Sequence, residues 1–161
     1  GTEHDAVQLC QFATLSGWEV TIVGKPTEYK NIDNFPGATN YLSEEPDNLD
    51  LTVIDNQTAI MIMTHSFSAD LKCLLALKDL NPLYIGLLGP VHKRENLLSQ
   101  LLDYYPDINE SFLDVIHGPA GLNIGSETPQ EISISIISEI LSVFRKQTPM
   151  SLKDKTGRIH A

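Results

Sequence analysis

Short apolar segments alternate with longer amphipathic segments along most of this chain. The apolar segments are rich in β-branched residues and are bounded by glycine, proline or polar residues, a pattern typical of strands. Two of them are apolar at nearly every position, as strands buried on both faces of a parallel sheet are. The pattern predicts five strands, the second of them a short edge strand, over Trp18–Val23, Thr39–Leu42, Thr58–Met63, Leu83–Leu88 and Phe112–His117.

The amphipathic segments carry apolar residues every three to four positions, which predicts helices. The last apolar segment is ambiguous, because its isoleucines alternate like those of a strand near its start but recur every four residues over its whole length. Its start decides between the two, since Thr128, Pro129 and Glu131 match a capping box with proline at the first helical position. We expect a helix of about five turns there, in addition to helices over Asp5–Ser16, Phe67–Leu80 and Val91–Tyr105.

Strands and helices in alternation predict an α/β fold, a doubly wound and mainly parallel sheet flanked by helices on both faces. Gly1 stands directly before the first helix, so the strand that opens such a sheet is missing from the sequence. We expect the chain to be a fragment of a longer protein, with an N-terminal domain outside it. Residues 1–146 are expected to form one domain, with a loop over residues 25–37, and the basic residues 147–161 to form a C-terminal tail.

The charge of the chain argues against nucleic acid as a partner. Its 161 residues include 11 basic and 21 acidic side chains, a formal net charge of −10. Residues 145–161 hold five of the bases, so the remaining body is strongly acidic and repels a phosphate backbone. No apolar run approaches the roughly 20 residues that cross a bilayer. We expect a cytoplasmic protein without membrane contact, in which Cys10 and Cys73 are free thiols.

The loops that follow the strands are the candidate sites, because parallel sheets of this kind bind ligands at the carboxyl ends of their strands. The first of these loops, Gly1–Asp5, enters a helix but lacks the glycine pattern that brings a dinucleotide close to the backbone. Glu3 stands where the second glycine is needed, and no acid follows the strand that ends at Val23 to hold a ribose. Both departures argue against NAD and favour a plain helix entry.

The second loop offers one candidate side chain, His65. An imidazole can act as a hydrogen-bond donor, a base or a metal ligand near neutral pH. No second histidine or cysteine stands at metal-ligand spacing, so a metal site is not predicted. Two interpretations stay open with equal weight, a site residue and an ordinary residue at a helix entry.

The third loop lies between a buried strand and a helix and contains Gly86, Gly89, Lys93 and Arg94. The glycines permit close approach of a ligand to the backbone. The two cations stand in the opening turns of the helix, where free N–H groups and the helix dipole also attract an anion. The sequence therefore suggests an anion site, and a tight turn with solvated cations is the alternative.

The fourth loop, His117–Thr128, contains three glycines and one proline within eight residues. This composition indicates a loop of defined shape rather than a flexible linker. Its candidate binding residues are Gly121, Asn123, Gly125 and Glu127. A loop shaped only for packing is the alternative.

Three motifs in these loops resemble the signature of one known family. They are the segment Tyr84–Glu95, the segment Gly121–Ile132, and Met63-Thr64-His65 followed by Asp70. They are similar to motifs of the xanthine dehydrogenase accessory factor family, XdhC/CoxI. The resemblance covers nearly the whole chain in order and implies the C-terminal, Rossmann-like domain of that family.

The resemblance implies an accessory protein rather than an enzyme with its own substrate. Such proteins hold the molybdenum cofactor, molybdopterin, transiently while a cysteine desulfurase installs its terminal sulfur. They then deliver it to a client molybdenum hydroxylase of the xanthine dehydrogenase type, and they tend to form homodimers. We expect His65, the turn Gly86–Lys93 and the loop Gly121–Glu127 to line one cleft that holds the cofactor or its delivery partner. An NAD(P)-dependent oxidoreductase and a ligand-free interaction or dimerisation module remain alternative functions on the same fold.

Overall fold

The fold is described from a computed structural model that covers residues 1–159; the last two residues of the predicted tail lie outside the described residues. Within these described residues, five α-helices and five strands follow one another, with short 3₁₀ turns between some of them. The helices are α1 (His4–Leu15), α2 (Phe67–Leu77), α3 (Val91–Tyr104), α4 (Glu110–Asp114) and α5 (Pro129–Phe144). The strands are β1 (Thr21–Gly24), β2 (Asn40–Ser43), β3 (Ala59–Ile62), β4 (Tyr84–Leu87) and β5 (Ile116–His117).

All strand pairs are parallel, and they form two sheets. The first sheet pairs β1 with β2, and the second has the order β3–β4–β5. Helices cover both sheets, so the α/β fold with parallel strands flanked by helices is confirmed. The predicted single sheet is interrupted between β1 and β3, since within residues 1–159 each of these two strands has a hydrogen-bonded neighbour on one side only.

Two layers of helices enclose the sheets. On one face α1 packs against α5, and their buried side chains form one core cluster with Phe35 and Tyr84. On the other face α2 packs against α3, in a second cluster that contains Leu74, Ile85 and Leu97. Adjacent β4 residues, Tyr84 and Ile85, thus belong to opposite clusters, as expected for a strand buried on both faces.

The capping box of the last helix is present, and it confirms that this segment is helical. The Glu131 N–H donates to Thr128 Oγ1 at 3.3 Å, and the Thr128 N–H donates to Glu131 Oε2 at 2.9 Å. These bonds satisfy backbone donors that the first turn of a helix leaves without partners. Both cysteines are free, with Cys10 buried and Cys73 partly buried.

The predicted strand Phe112–His117 is wrong over most of its length. The Asn109 side chain accepts a hydrogen bond from the Ser111 N–H and starts the short helix α4, from which Phe112 packs into the core. An N-cap of this kind stabilises a helical turn locally and overrides the apolar pattern. Only Ile116 and His117 form a strand. Within residues 1–159, no helix is long and apolar enough to cross a membrane.

Candidate functional site

The loops after β3 and β4 come together at the carboxyl edge of the second sheet. Between them lies a cleft of about 370 Å³, which we call the loop cleft. Its walls combine apolar side chains with one histidine and one lysine. The lining residues are Met63, His65, Phe67, Leu88, Gly89, Pro90 and Lys93.

An ion pair beneath the cleft joins the opening turns of α2 and α3. Lys93 pairs with Asp70, whose side chain is 0% exposed, and its ammonium also donates to the Leu88 carbonyl at 2.9 Å. The other carboxylate oxygen of Asp70 accepts hydrogen bonds from the Thr64 N–H at 3.2 Å and from the Thr64 hydroxyl. Because Asp70 balances the charge of Lys93, this lysine attracts an anion less strongly than a free cation would.

His65 has an unusual backbone conformation on the rim of this cleft. Its φ is +56°, in the left-handed region that non-glycine residues seldom adopt. The Thr64 hydroxyl, which donates its proton to Asp70, stabilises the turn by accepting a hydrogen bond from the Ser66 N–H at 3.2 Å. The imidazole is half exposed, and its Nε2 lies 3.9 Å from a carboxylate oxygen of Asp5 in the first turn of α1. Backbone strain of this kind clusters at binding and catalytic sites.

The two glycines of the third loop have different roles. Gly89 lines the cleft with a φ of +130°, and a side chain there would approach Lys93 Cδ to 2.8 Å. Glycine at this position therefore leaves space for the lysine to reach its partners. Gly86 lies inside β4, where a Cβ would collide with the sulfur of Met61. Gly86 therefore serves the packing of the strand and does not line the cleft.

Arg94 is directed away from the loop cleft and towards β5. Its guanidinium donates twice to the Ile116 carbonyl, from Nε and Nη2, each at 3.3 Å. Its stem packs on Gly118, where a Cβ would stand 3.0 Å from Arg94 Cβ. The residue thus connects α3 to the end of β5 and offers the cleft no second charge.

The candidates of the fourth loop also lie outside the cleft. Gly121 has a φ of +112° and packs on Ser135 of α5, whose hydroxyl leaves no space for a side chain. Asn123, Gly125 and Glu127 do not line the cleft either. The structure therefore brings together His65, Gly89 and Lys93, which the sequence singled out in two separate loops.

A second polar cluster, not predicted from the sequence, holds the fourth loop against α5. The Tyr84 hydroxyl donates to Glu139 Oε2 at 2.5 Å, and the Gly121 N–H donates to the same oxygen at 2.8 Å. His117 Nδ1 lies 3.3 Å from Glu139 Oε1, and its ring stacks on Tyr84 with centroids 4.3 Å apart. An acid within the apolar stretch of the last helix was the signal in the sequence for this cluster.

The hydrogen bonds of this cluster keep Glu139 ionised. Burial by itself raises the pKa of its carboxyl, but the bonds from His117, Tyr84 and Gly121 together lower the pKa by more. Burial and the neighbouring carboxylate raise the pKa of the Tyr84 hydroxyl far above its ordinary value, so Tyr84 remains a donor. Within the described part of the chain, no group of three or more histidine, cysteine or acidic side chains is placed to hold a metal ion.

Comparison with known proteins adds three findings. A family model described as the XdhC Rossmann domain matches residues 1–140. The protein YqeB of Escherichia coli K12 is 30% identical over 143 residues, which are 89% of this chain and 26% of that protein. A protein of Bacillus subtilis 168, named as a probable subunit of xanthine dehydrogenase, is 27% identical over 148 residues, 91% of this chain and 42% of the relative.

A solved structure shows the same fold. The crystal structure of a xanthine dehydrogenase from Bacillus halodurans superposes with a TM-score of 0.76 at 27% identity, over 92% of this chain and 42% of that one. The chain thus spans less than half the length of these relatives. The family model covers most of the chain, and its domain type agrees with the parallel α/β fold described above. The chain therefore belongs to the XdhC family, as its Rossmann domain.

Proposed function

We propose that this domain serves a molybdoenzyme of the xanthine dehydrogenase type as an accessory module, and that the loop cleft holds molybdopterin before its transfer to the client. The observation that carries the proposal is the meeting of His65, Gly89 and Lys93 at the carboxyl edge of β3 and β4. Sheets of this type bind their ligands at that edge. One relative of this chain is named as a probable subunit of xanthine dehydrogenase, which indicates the kind of client.

The loop cleft fits the ring system of such a cofactor better than its phosphate. A volume of about 370 Å³ lies within the range of small-molecule sites, and Met63, Phe67 and Leu88 supply apolar surface for a flat ring. His65 supplies a half-exposed imidazole that can exchange hydrogen bonds with the ring edge. Lys93 attracts the phosphate of the cofactor only weakly, because Asp70 already balances the charge of this lysine.

These residues suit binding and release rather than turnover. In this proposal Asp70 and Thr64 fix the position of Lys93, and the strained turn at His65 directs the imidazole to the cleft. When bound, the cofactor itself supplies the redox chemistry of the client enzyme. The accessory domain orients it and shields it from water, and a cysteine desulfurase and the client hydroxylase are its expected partners.

The test is the molybdopterin content of protein purified from a host that makes the cofactor. Bound pterin is released, oxidised to its fluorescent form and counted per chain. We expect pterin in the wild type and about five- to tenfold less in His65→Ala, the effect of one lost hydrogen bond. The matched control is His92→Ala, which removes an exposed histidine that does not line the cleft.

Two results would overturn the proposal. The first is an absence of pterin from the wild type, and the second is equal pterin in the two histidine variants. Saturable binding of NADH by a protein that carries no pterin would favour the oxidoreductase instead.

A further inference from the structure

The fourth loop, His117–Thr128, is fixed in one shape although none of its residues lines the loop cleft. In its middle, the Leu122 N–H donates to the Ser135 carbonyl at 3.3 Å, and the Leu122 carbonyl accepts from the Ser135 hydroxyl at 2.6 Å. Near its end, the Glu127 N–H donates to Glu131 Oε2 at 2.8 Å. Both partners belong to α5, so this helix holds the loop on either side of its tip.

The tip of the loop presents an isoleucine to solvent. Ile124 is 57% exposed, and its N–H donates to the Leu122 carbonyl at 2.9 Å, which makes a tight three-residue turn. Gly125 follows with a φ of +77°, in the left-handed region. A lone exposed apolar side chain is common on protein surfaces. Here, however, the backbone on both sides is already ordered and a β-branched side chain has few rotamers, so burying Ile124 against a partner costs little conformational entropy.

The charge around the tip is acidic. Glu127 and Glu131 are exposed, three and seven residues after Ile124, and no lysine or arginine occurs between Arg94 and Arg145. Opposite charges at the rim of an interface attract the partner, and like charges oppose it. A pocket that receives Ile124 is therefore apolar at its centre and basic at its rim.

The loop starts beside the loop cleft. The Ala120 N–H donates to the carbonyl of Leu87, the last residue of β4, at 3.0 Å, and the next residue, Leu88, lines the cleft. The same loop follows the carboxyl end of β5, so it belongs to the edge of the second sheet at which the cleft opens. A protein bound to the fourth loop therefore lies at the edge where a ligand of the cleft is exchanged.

We propose that the fourth loop is the surface on which the client molybdoenzyme docks, with Ile124 inserted into an apolar pocket of the client and Glu127 facing basic side chains at the rim of that pocket. The identity of the partner rests on the proposed function, because a client that receives a ligand of the loop cleft has to approach this edge of the sheet. The surface itself rests on the rigid loop, its apolar tip and its acidic flank. These features give the loop a role in transfer that is separate from holding the cofactor.

The test is the affinity of the full chain for the purified, cofactor-free client enzyme of the same organism, measured by surface plasmon resonance. We expect Ile124→Ser to raise the Kd about tenfold, since one well-buried aliphatic side chain at the centre of an interface carries an energy of that size. The matched control is Leu15→Ser, which removes an exposed aliphatic side chain at the end of α1, outside the fourth loop. Its Kd should stay within about twofold of the wild type.

A second variant tests the acidic flank. We expect Glu127→Lys to slow association with the client about tenfold at low salt and to lose most of this effect at high salt, where charges are screened. The control is Asp103→Lys, which makes the same charge change at an exposed position near the end of α3 and should leave association within about twofold.

The pterin content of Ile124→Ser separates docking from cofactor binding. We expect it to equal that of the wild type, because Ile124 does not line the cleft. If the wild type carries no pterin but Ile124→Ser still weakens client binding, the docking surface is supported and the cofactor role is contradicted.

Four results would overturn the docking surface. The client fails to bind the wild type, Ile124→Ser binds the client as tightly as Leu15→Ser does, or Ile124→Ser loses its pterin. The fourth is a dimer of this chain that Ile124→Ser dissociates while client binding stays unchanged, which would assign the loop to a second copy.

Discussion

Replacing Lys93 by methionine tests whether the ion pair between α2 and α3 stabilises the fold. Methionine keeps most of the apolar stem and removes the ammonium group, so the Asp70 carboxylate loses its counter-charge. That carboxylate is 0% exposed and retains only its bonds from Thr64. An unpaired charge in such a place cannot reach water, and the folded state becomes less stable.

The expected loss follows from the burial of the two partners. Breaking a buried ion pair by removing one member costs about 3–5 kcal/mol. The Lys93 side chain is 18% exposed, so the pair is not fully desolvated and the lower end applies, about 3 kcal/mol. For a domain of this length, that corresponds to a fall in thermal midpoint of about 6–12 °C. Asp70→Asn costs less, about 1–2 kcal/mol, because the freed ammonium of Lys93 can turn to water.

The assay is urea or thermal unfolding of four proteins beside the wild type: Lys93→Met, Asp70→Asn, the double variant, and Lys72→Met as the matched control. Lys72 is an exposed lysine of α2 with no ion pair among the described residues, so its replacement changes stability by about 0.5 kcal/mol or less. The double variant should be more stable than Lys93→Met alone, because it leaves no buried charge.

The reasoning is refuted if Lys93→Met loses no more stability than the Lys72→Met control. It is refuted equally if the losses of the two single variants simply add in the double variant. Additivity would mean that the two side chains do not interact in solution.

Three further predictions concern the polar cluster and its surroundings. Glu139→Gln should cost about 1.5–3 kcal/mol at neutral pH, since three donors lose a charged acceptor. Burial raises the pKa of Glu139 but its hydrogen bonds lower it by more, so this stabilisation is present above the ordinary pKa of 4.5 and is lost as the pH falls through the folded value. Gly121→Ala should cost about 2–4 kcal/mol and Gly125→Ala about 1 kcal/mol, because both need a positive φ but only at Gly121 does Ser135 stand in the way. Burial raises the pKa of the Cys73 thiol to about 11, so iodoacetamide at pH 8 should modify it about a hundredfold more slowly than a free thiol.

The measurements that check these three are unfolding midpoints between pH 3 and 7, midpoints of the two glycine variants, and thiol modification followed by mass spectrometry. A constant difference between the wild type and Glu139→Gln across that pH range would contradict the role of the carboxylate. Equal losses in the two glycine variants would contradict the contact at Gly121. Rapid modification of Cys73 in the folded protein would contradict its burial.

The four longer helices and most strands could be predicted from the sequence, because their signals lie within a few residues. The capping box at Thr128 identifies α5 in a segment whose isoleucine pattern alone is ambiguous. The same local logic explains the error at residues 112–117, where the side chain of Asn109 starts a helix. In that segment the cap outweighs the apolar run that follows it.

The candidate site could be predicted only in part. His65, Gly89 and Lys93 lie in the segments that follow β3 and β4, where the fold class itself predicts a site, and they do share one cleft. Arg94 has the same charge as its neighbour Lys93, yet it points along a different side of α3 and bonds to the Ile116 carbonyl. Side chains of consecutive helical residues point in directions about 100° apart. The packing of the helix therefore decides which of the two cations faces the cleft.

The sequence by itself determined the order of the elements, the fold class, the acidic body and the family signature, because each depends on residue types and short spacings. The tertiary structure alone decided that Asp70 balances the charge of Lys93. It alone also decided that Glu139 accepts a hydrogen bond from the hydroxyl of Tyr84, which is 55 residues away in the sequence. It also decided that the sheet opens between β1 and β3. The physical reason is that the residues involved are far apart in the sequence. Their charged side chains and strand edges come together only when the helices pack, and no local sequence pattern encodes that packing.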